Sequence, residues 1–404
     1  IDVLDEDKML EMARKLSFQQ MIPFTRFIDF CKRELAEPGV SDLDPPRMIC
    51  HGGGGVGKTS VINTIAKWAE KILRKPGDNP MKPKVILLAP TGMAASLIHG
   101  TTLQTGLNLK FGTKYVKLSD SKREEFRVMF EELQVVIIDE FSMVSADALY
   151  DIHRRLQEIF ISKDLFGGRA VLFVGDLLQL QPVKGRPIFA KPKSDKNASL
   201  WNSTDNLWSS FEVVTLEFSY RQGVSDWTLC LNRLRKGELS EEDRHLLEQR
   251  RLEHFPDMKQ ENACHVYYSN MEVNAYNEKM MDSLPDSYVY LKADLIVPRG
   301  YRPFITDHGT IDDTQFRKIL QLKKGVRVML TFNVSISDSL INGALGTVLD
   351  FVYNKSTVIA VIVAFDDPSV GEQQKQHYKD VCKDFQELNG CPIFKSTLQY
   401  QGRA

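Results

Sequence analysis

The chain has 404 residues, 43% hydrophobic and 26% charged, with a formal net charge of −1, a globular composition whose length suggests about two to four domains. Near-neutrality excludes a global positive field, so any nucleic acid has to be held by a local stripe of Lys and Arg. No apolar run approaches the roughly 18 residues of a membrane span, the N-terminus is no secretory signal, and the six cysteines are scattered without a CxxC pair, which reads as a reduced intracellular protein.

Residues 5–35 carry helical spacing, and Pro45-Pro46 interrupts it ahead of a short apolar strand from Arg47 to Cys50. The stretch HGGGGVGKTS, His51 to Ser60, comes next, followed by helical spacing at Ile62, Ile65, Ala66, Ala69 and Ile72. Strand, glycine loop and helix is the context that the phosphate-binding pattern GxxxxGK[ST] needs. Gly53, Gly54, Gly55, Val56 and Gly57 would turn their N–H groups inward around a β-phosphate, with Ser60 at the end of the cradle. Lys58 would reach the β and γ oxygens, and the Thr59 hydroxyl would ligate Mg²⁺. Nucleotide and Mg²⁺ are therefore expected here.

Val85 to Ala89 is a continuous apolar run of buried-strand type. Val135 to Ile138 is another, and it ends in Asp139-Glu140. Given the glycine loop, Asp139 would hold the Mg²⁺ and Glu140 would polarise the attacking water. After a helix over about residues 146–160, the run from Ala170 to Val174 ends in Gly175-Asp176 and opens GDLLQLQP. Gln179 is placed to sense a γ-phosphate, while Asp176 reads as a turn cap. Val213 to Leu216 leads to Tyr220-Arg221-Gln222, where Arg221 could neutralise a transferring phosphoryl group or serve as a surface ion-pair partner. Apolar strands alternating with helices predict a parallel sheet covered on both faces. Each polar motif falls just past a strand end, where ligands bind in such sheets. Residues 226–251 read as helical and charged. Val326 to Leu330, Gly346 to Val352 and Val358 to Phe365 are β-rich, predicting a small barrel or sheet attached to a second α/β domain.

In this order, GGGGVGKT, APTGMAA (Ala89–Ala95), IIDEFSM (Ile137–Met143), GDLLQLQPV (Gly175–Val183) and YRQ resemble the motifs of superfamily 1 B-type helicases of the Pif/RecD-like branch. LNRLRKGELSEED (Leu231–Asp243) and GVRVMLTFN (Gly325–Asn333) are similar to it in style, and the phrasing around the glycine loop is similar to helicase domains of Helitron-type transposons. The resemblance implies an α/β fold of P-loop, RecA-like type. Residues 1–215 would be the ATP-binding motor domain, 216–325 part of a second RecA-like domain, and 326–404 a β-rich SH3-like insert. Within Leu16-Ser17-Phe18-Gln19-Gln20, Gln20 matches the adenine-reading glutamine, with Gln19 as the fallback. Arg221 takes the place of an arginine on the γ-phosphate. Thr91, Gly92, Thr102, Gln104 and Asn270 fall on motifs that contact single-stranded DNA. Phe111 and Tyr115 are open between base stacking and core packing.

The implied activity is ATP-dependent, 5′-to-3′ translocation on single-stranded DNA with unwinding at duplex junctions. The expected protein is a monomer of the nucleus or mitochondrion, away from membranes, serving genome maintenance or transposition. Two later motifs of that family, H-x-S-Q-G and an A-x-T-R arginine, do not occur in the chain. The chain opens on Ile1 and closes on Ala404, and it reads as a piece of something longer with an incomplete second motor domain. The alternative is a nucleotide-switched, single-stranded-DNA-binding module with weak or no ATPase. A ring-forming remodelling ATPase would share the glycine loop but not the GDLLQLQP-to-YRQ order.

Overall fold

The computed structural model describes residues 6–37, 44–110, 115–182, 185–193, 197, 201, 206–220, 223, 225–251, 264–294, 317–335, 337–381 and 390–395. Its contacts divide the chain into two units, Ile1–Met258 and Lys259–Ala404.

Six strands form the first unit's sheet: β1 (Arg47–Gly52), β2 (Val85–Ala89), β3 (Thr101–Thr102), β4 (Val135–Ile138), β5 (Ala170–Gly175) and β6 (Glu212–Leu216). Their order is β3-β2-β4-β5-β1-β6 and all neighbours run parallel. The central strands β4 and β5 read as unbroken apolar runs because both faces are buried, whereas edge strand β6 is largely exposed. Val136, Ile138, Val171 and Phe173 face one core, while Val135, Ile137, Ala170, Leu172 and Val174 face the other. The parallel, helix-covered sheet expected from the sequence is what forms.

Two helical layers supply the partners. One core is closed by α2 (Phe18–Ala36) and α3 (Lys58–Leu73), with Phe24, Phe27, Ile28, Val61, Ile62 and Ile65 pointing inward. The other is closed chiefly by α7 (Ala146–Phe160), through Leu149, Tyr150, Ile152, Leu156 and Ile159. Short helices α4 (Gly92–Leu97) and α5 (Leu103–Gly106) follow β2 and β3, and α6 (Asp120–Met129) precedes β4. The helix expected over 5–35 is two helices, α1 (Glu6–Arg14) and α2, because Ser17 and Gln20 form a capping box that starts a new helix. The helical stretch at 226–251 likewise divides into α8 (Asp226–Lys236) and α9 (Glu241–Glu248). Gly237, at φ 76°, ends the first, and a Ser240–Asp243 capping box begins the second.

β5 lies between β4 and β1, with Ile138 beside Phe173 and His51 beside Gly175. Three polar segments therefore emerge side by side at the sheet's carboxyl edge: Asp139-Glu140, Asp176 and the glycine loop. The positions after β2 and β3 lie further along the same edge.

In the second unit, α10 (Asn270–Asp282) precedes an antiparallel pair, β7 (Val289–Lys292) and β8 (Ile319–Leu322). A four-stranded antiparallel sheet has β9 (Arg327–Met329), β10 (Leu345–Asn354), β11 (Thr357–Phe365) and β12 (Cys391–Phe394), in the order β12-β11-β10-β9. Helix α11 (Glu372–Val381) intervenes before β12. Leu322, Val348 and Phe351 form a small core there. Among the described residues no helix is long and apolar enough to cross a membrane.

Candidate nucleotide-binding site

The glycine loop leaves β1 and enters α3 with Lys58 as the first helical residue. Lys58 Nζ donates to the Gly52 and Gly53 carbonyl oxygens, at 2.9 and 2.8 Å. The ammonium is thereby held across the loop. Thr59 and Ser60 follow in the first turn of α3 with their side chains exposed. The N–H groups of that turn have no partners within the helix, and the helix dipole adds positive potential there.

Gly57 is left-handed at φ 80°, and a side chain on it would run into the Gln20 amide. Gln20, 2% exposed, is committed on both sides of that amide. Its Oε1 accepts from Ser17 N–H at 2.8 Å, and its Nε2 donates to the Val56 carbonyl at 3.0 Å. Gln20, expected to read adenine, therefore supports the loop directly. Gln19, the fallback, exchanges bonds with Glu217 past the end of β6 instead.

Asp139 closes β4 with 8% exposure, and its Oδ1 accepts from Glu140 N–H at 2.9 Å. Burial pushes its carboxyl up to about 6, against the hydrogen bond from Glu140 N–H and the charge of Lys58, while the Glu140 carboxylate adds to the rise. Glu140 is left-handed at φ 50°. A non-glycine residue rarely holds that conformation, and such strain is concentrated at functional positions. Behind it, a side chain on Gly175 would meet Phe141 at 2.8 Å, so β5 can lie this close only with glycine.

Sequence reading missed three partners at this edge. Asp176, expected to cap a turn, does accept from Leu178 N–H, but it is also fully buried and paired with Arg235 Nη2 of α8 at 2.8 Å. His51 Nδ1 accepts from Leu177 N–H at 3.3 Å. Burial lowers the His51 pKa, and Arg235 and Lys58 reinforce this against Asp176. The imidazole is neutral, and its 3.8 Å approach to Asp176 is not an ion pair. Tyr220 sits over the loop, its N–H donating to the Gly55 carbonyl at 2.9 Å and its ring edge-on to Phe218. Gly53, Asp176 and Arg235 are far apart in the chain, and only the fold joins them. The basic stretch LNRLRKG was the available hint.

The remaining expectations are distributed. Gln179 lies in the exposed turn after Asp176, its N–H bonded to the Asp176 carbonyl. Arg221 and Phe111 lie outside the described residues. Tyr115 donates to Glu158 at 2.7 Å and lies under Arg155, a structural placement against the core. Thr91 and Thr102 cap α4 and α5 and stand at neighbouring strand ends, with Gly92 and exposed Gln104 in the helices they begin. Asn270, exposed, opens α10 in the second unit.

Two family models match the chain: PIF1-like helicase over residues 37–244, and the 2B domain of DNA helicase Pif1 over residues 314–351. The ATP-dependent DNA helicase RRM3 of Saccharomyces cerevisiae is 27% identical over 307 residues, covering 74% of this chain. The ATP-dependent DNA helicase PIF1 of Emericella nidulans is 28% identical over 322 residues, also covering 74%. Each match takes in 39% of the relative's own length, so the chain spans about two-fifths of these curated relatives. Among solved structures, Pif1 helicase from Candida albicans has a TM-score of 0.60 at 24% identity, covering 87% of this chain and 76% of that one. Bacteroides Pif1 bound to ssDNA has a TM-score of 0.53 at 23% identity, covering 85% and 72%. These structural likenesses speak to the fold. With the first family model matching more than half of its residues, the chain belongs to the PIF1-like helicase family.

Proposed function

We propose that the protein is an ATP-dependent DNA helicase that translocates 5′ to 3′ along single-stranded DNA. The observation that carries the reading is the strand-end constellation in a chain of this family: Lys58 held across the loop by two carbonyls, beside Asp139 and Glu140. Loop N–H groups and Lys58 would bind the β and γ oxygens of ATP. Tyr220 and Gln20, fixed against the loop, would border the base.

The Mg²⁺ would be held by Thr59 and Asp139. Hydroxyl and carboxylate oxygens are hard donors that suit it, and among the described residues no cluster of three or more His, Cys, Asp or Glu side chains forms a cage. That fits an ion completed by water and phosphates. A cation would also stabilise the ionised form of a carboxyl that burial now disfavours. When bound, Mg²⁺ would supply neutralisation of the phosphate charge that develops during transfer. Glu140, held in its strained turn, would orient the attacking water and take its proton.

The DNA proposal draws on relatives described as ATP-dependent DNA helicases and on solved Pif1 structures described with ssDNA and forked dsDNA. Thr91, Gly92 and Thr102 would meet the strand's backbone, which is sequence-blind contact. Polarity rests on motif resemblance. Duplexes with a single 5′ or 3′ tail test the whole reading. ATP-dependent displacement from the 5′-tailed substrate is expected. Displacement only from the 3′-tailed one would reject the polarity, and ATP turnover without displacement from either would reject the helicase.

A further inference from the structure

Helix α8 brings to the glycine loop a cation that no motif reading assigns. Arg235 Nη2 donates to Asp176 Oδ1 at 2.8 Å. Its Nη1 occupies the space where a side chain on Gly53 would begin. Gly53 is thus the residue that lets a guanidinium lie against the loop.

The pair is incompletely satisfied. Asp176 is 0% exposed, yet its Oδ2 has no hydrogen-bond partner, and Arg235 Nε is likewise buried without one. An arginine–carboxylate pair is strongest when two parallel bonds form, and this one makes a single bond. A buried unpaired carboxylate oxygen costs free energy, and it calls for an explanation in a chemical role or an absent partner. Here the unpaired atoms border a loop shaped for anionic phosphate. His51 is neutral, so the cation paired with Asp176 is Arg235.

We infer that Arg235 is a phosphate-contacting residue that exchanges Asp176 for the terminal phosphate of a bound nucleoside triphosphate. The inference rests on the nucleotide-binding reading above. In the nucleotide-free chain, Asp176 holds the guanidinium at the loop. A γ-phosphate brings more negative charge than one buried carboxylate oxygen and offers several acceptors to a planar donor fork. The exchange would tell α8 whether the loop holds a triphosphate or a diphosphate.

The two ends of the ion pair then have opposite effects on one measurable quantity. Arg235→Gln removes the cation that sees the terminal phosphate. Asp176→Asn removes its competitor while keeping the shape. A merely structural pair would weaken nucleotide binding from either end. The test is calorimetric titration of ADP and of a non-hydrolysable ATP analogue into the parent, Arg235→Gln, Arg235→Lys and Asp176→Asn proteins, with melting curves to confirm folding. Arg235→Gln is expected to lower the analogue-over-ADP affinity ratio by about tenfold or more, the scale of one charged hydrogen bond. Arg235→Lys is expected to retain part of the ratio, and Asp176→Asn to raise it. An unchanged ratio in Arg235→Gln overturns the inference, as does a fall in the ratio for both Arg235→Gln and Asp176→Asn. Should Asp176→Asn not fold, the Arg235→Gln ratio alone decides. A parent protein that binds neither nucleotide overturns the functional reading itself, whereas normal binding with an unmoved ratio overturns only the role of Arg235.

Discussion

Asp139 illustrates how one residue can carry a cost to the fold together with the chemical task proposed for it. Its carboxyl sits at about 6 instead of the ordinary 3.8, because burial disfavours the charge. Between those values the folded chain holds a proton that the unfolded chain releases, so stability falls as pH rises through this window. Asp139→Asn removes that loss. The variant should be more stable than the parent above about pH 6, with the advantage shrinking as pH falls toward about 4. Urea midpoints at the two pH values check this, and a variant less stable than the parent at neutral pH would contradict it. Asp139, Glu140, Lys58 and the glycine loop were legible from the sequence because their chemistry is written in contiguous motifs. Arg235 and Asp176 as partners were not, because 59 positions separate them and the missing side chain at Gly53 is a clue only once α8 is in place.

Strands were the most legible elements. β1, β2, β4, β5 and β6 fall where apolar runs predict them, and in β4 and β5, buried along their whole length, there is no room for polar alternation. Helix ends were less so. Single caps such as Ser17 and Gly237 divided stretches that look continuous by periodicity. β3, of two residues, gave no periodic signal at all. Phe173 in β5 is fully buried, against Phe141 and Phe211 at ring-centroid distances of 6.0 and 5.2 Å. Phe173→Ala should therefore cost about 3–5 kcal/mol, transfer and cavity together. Denaturant unfolding measures it, and a loss below about 1 kcal/mol would mean that this core is far looser than its contacts indicate.

At the scale of the whole molecule, the described residues of the proposed phosphate site belong to the first unit, at the carboxyl edge where β4, β5 and β1 end together. The sheet order explains how the glycine loop, Asp139-Glu140 and Asp176 come together at one edge, and the parallel α/β sheet was readable in advance because these three segments each follow an apolar strand, whereas Gln20 reaches the loop from a helix. The second unit was less readable. Its β9–β11 region stands out as β-rich, but the β7–β8 pair and the helix before β12 carry no motif to announce them. The proposed helicase requires that this edge hydrolyse ATP in service of movement on DNA. Steady-state ATP hydrolysis by the protein, with and without single-stranded oligonucleotide, tests it most directly alongside Lys58→Ala. Turnover should rise several-fold with single-stranded DNA and vanish in Lys58→Ala while DNA binding persists. Turnover indifferent to DNA, or undiminished by the loss of Lys58, would contradict it.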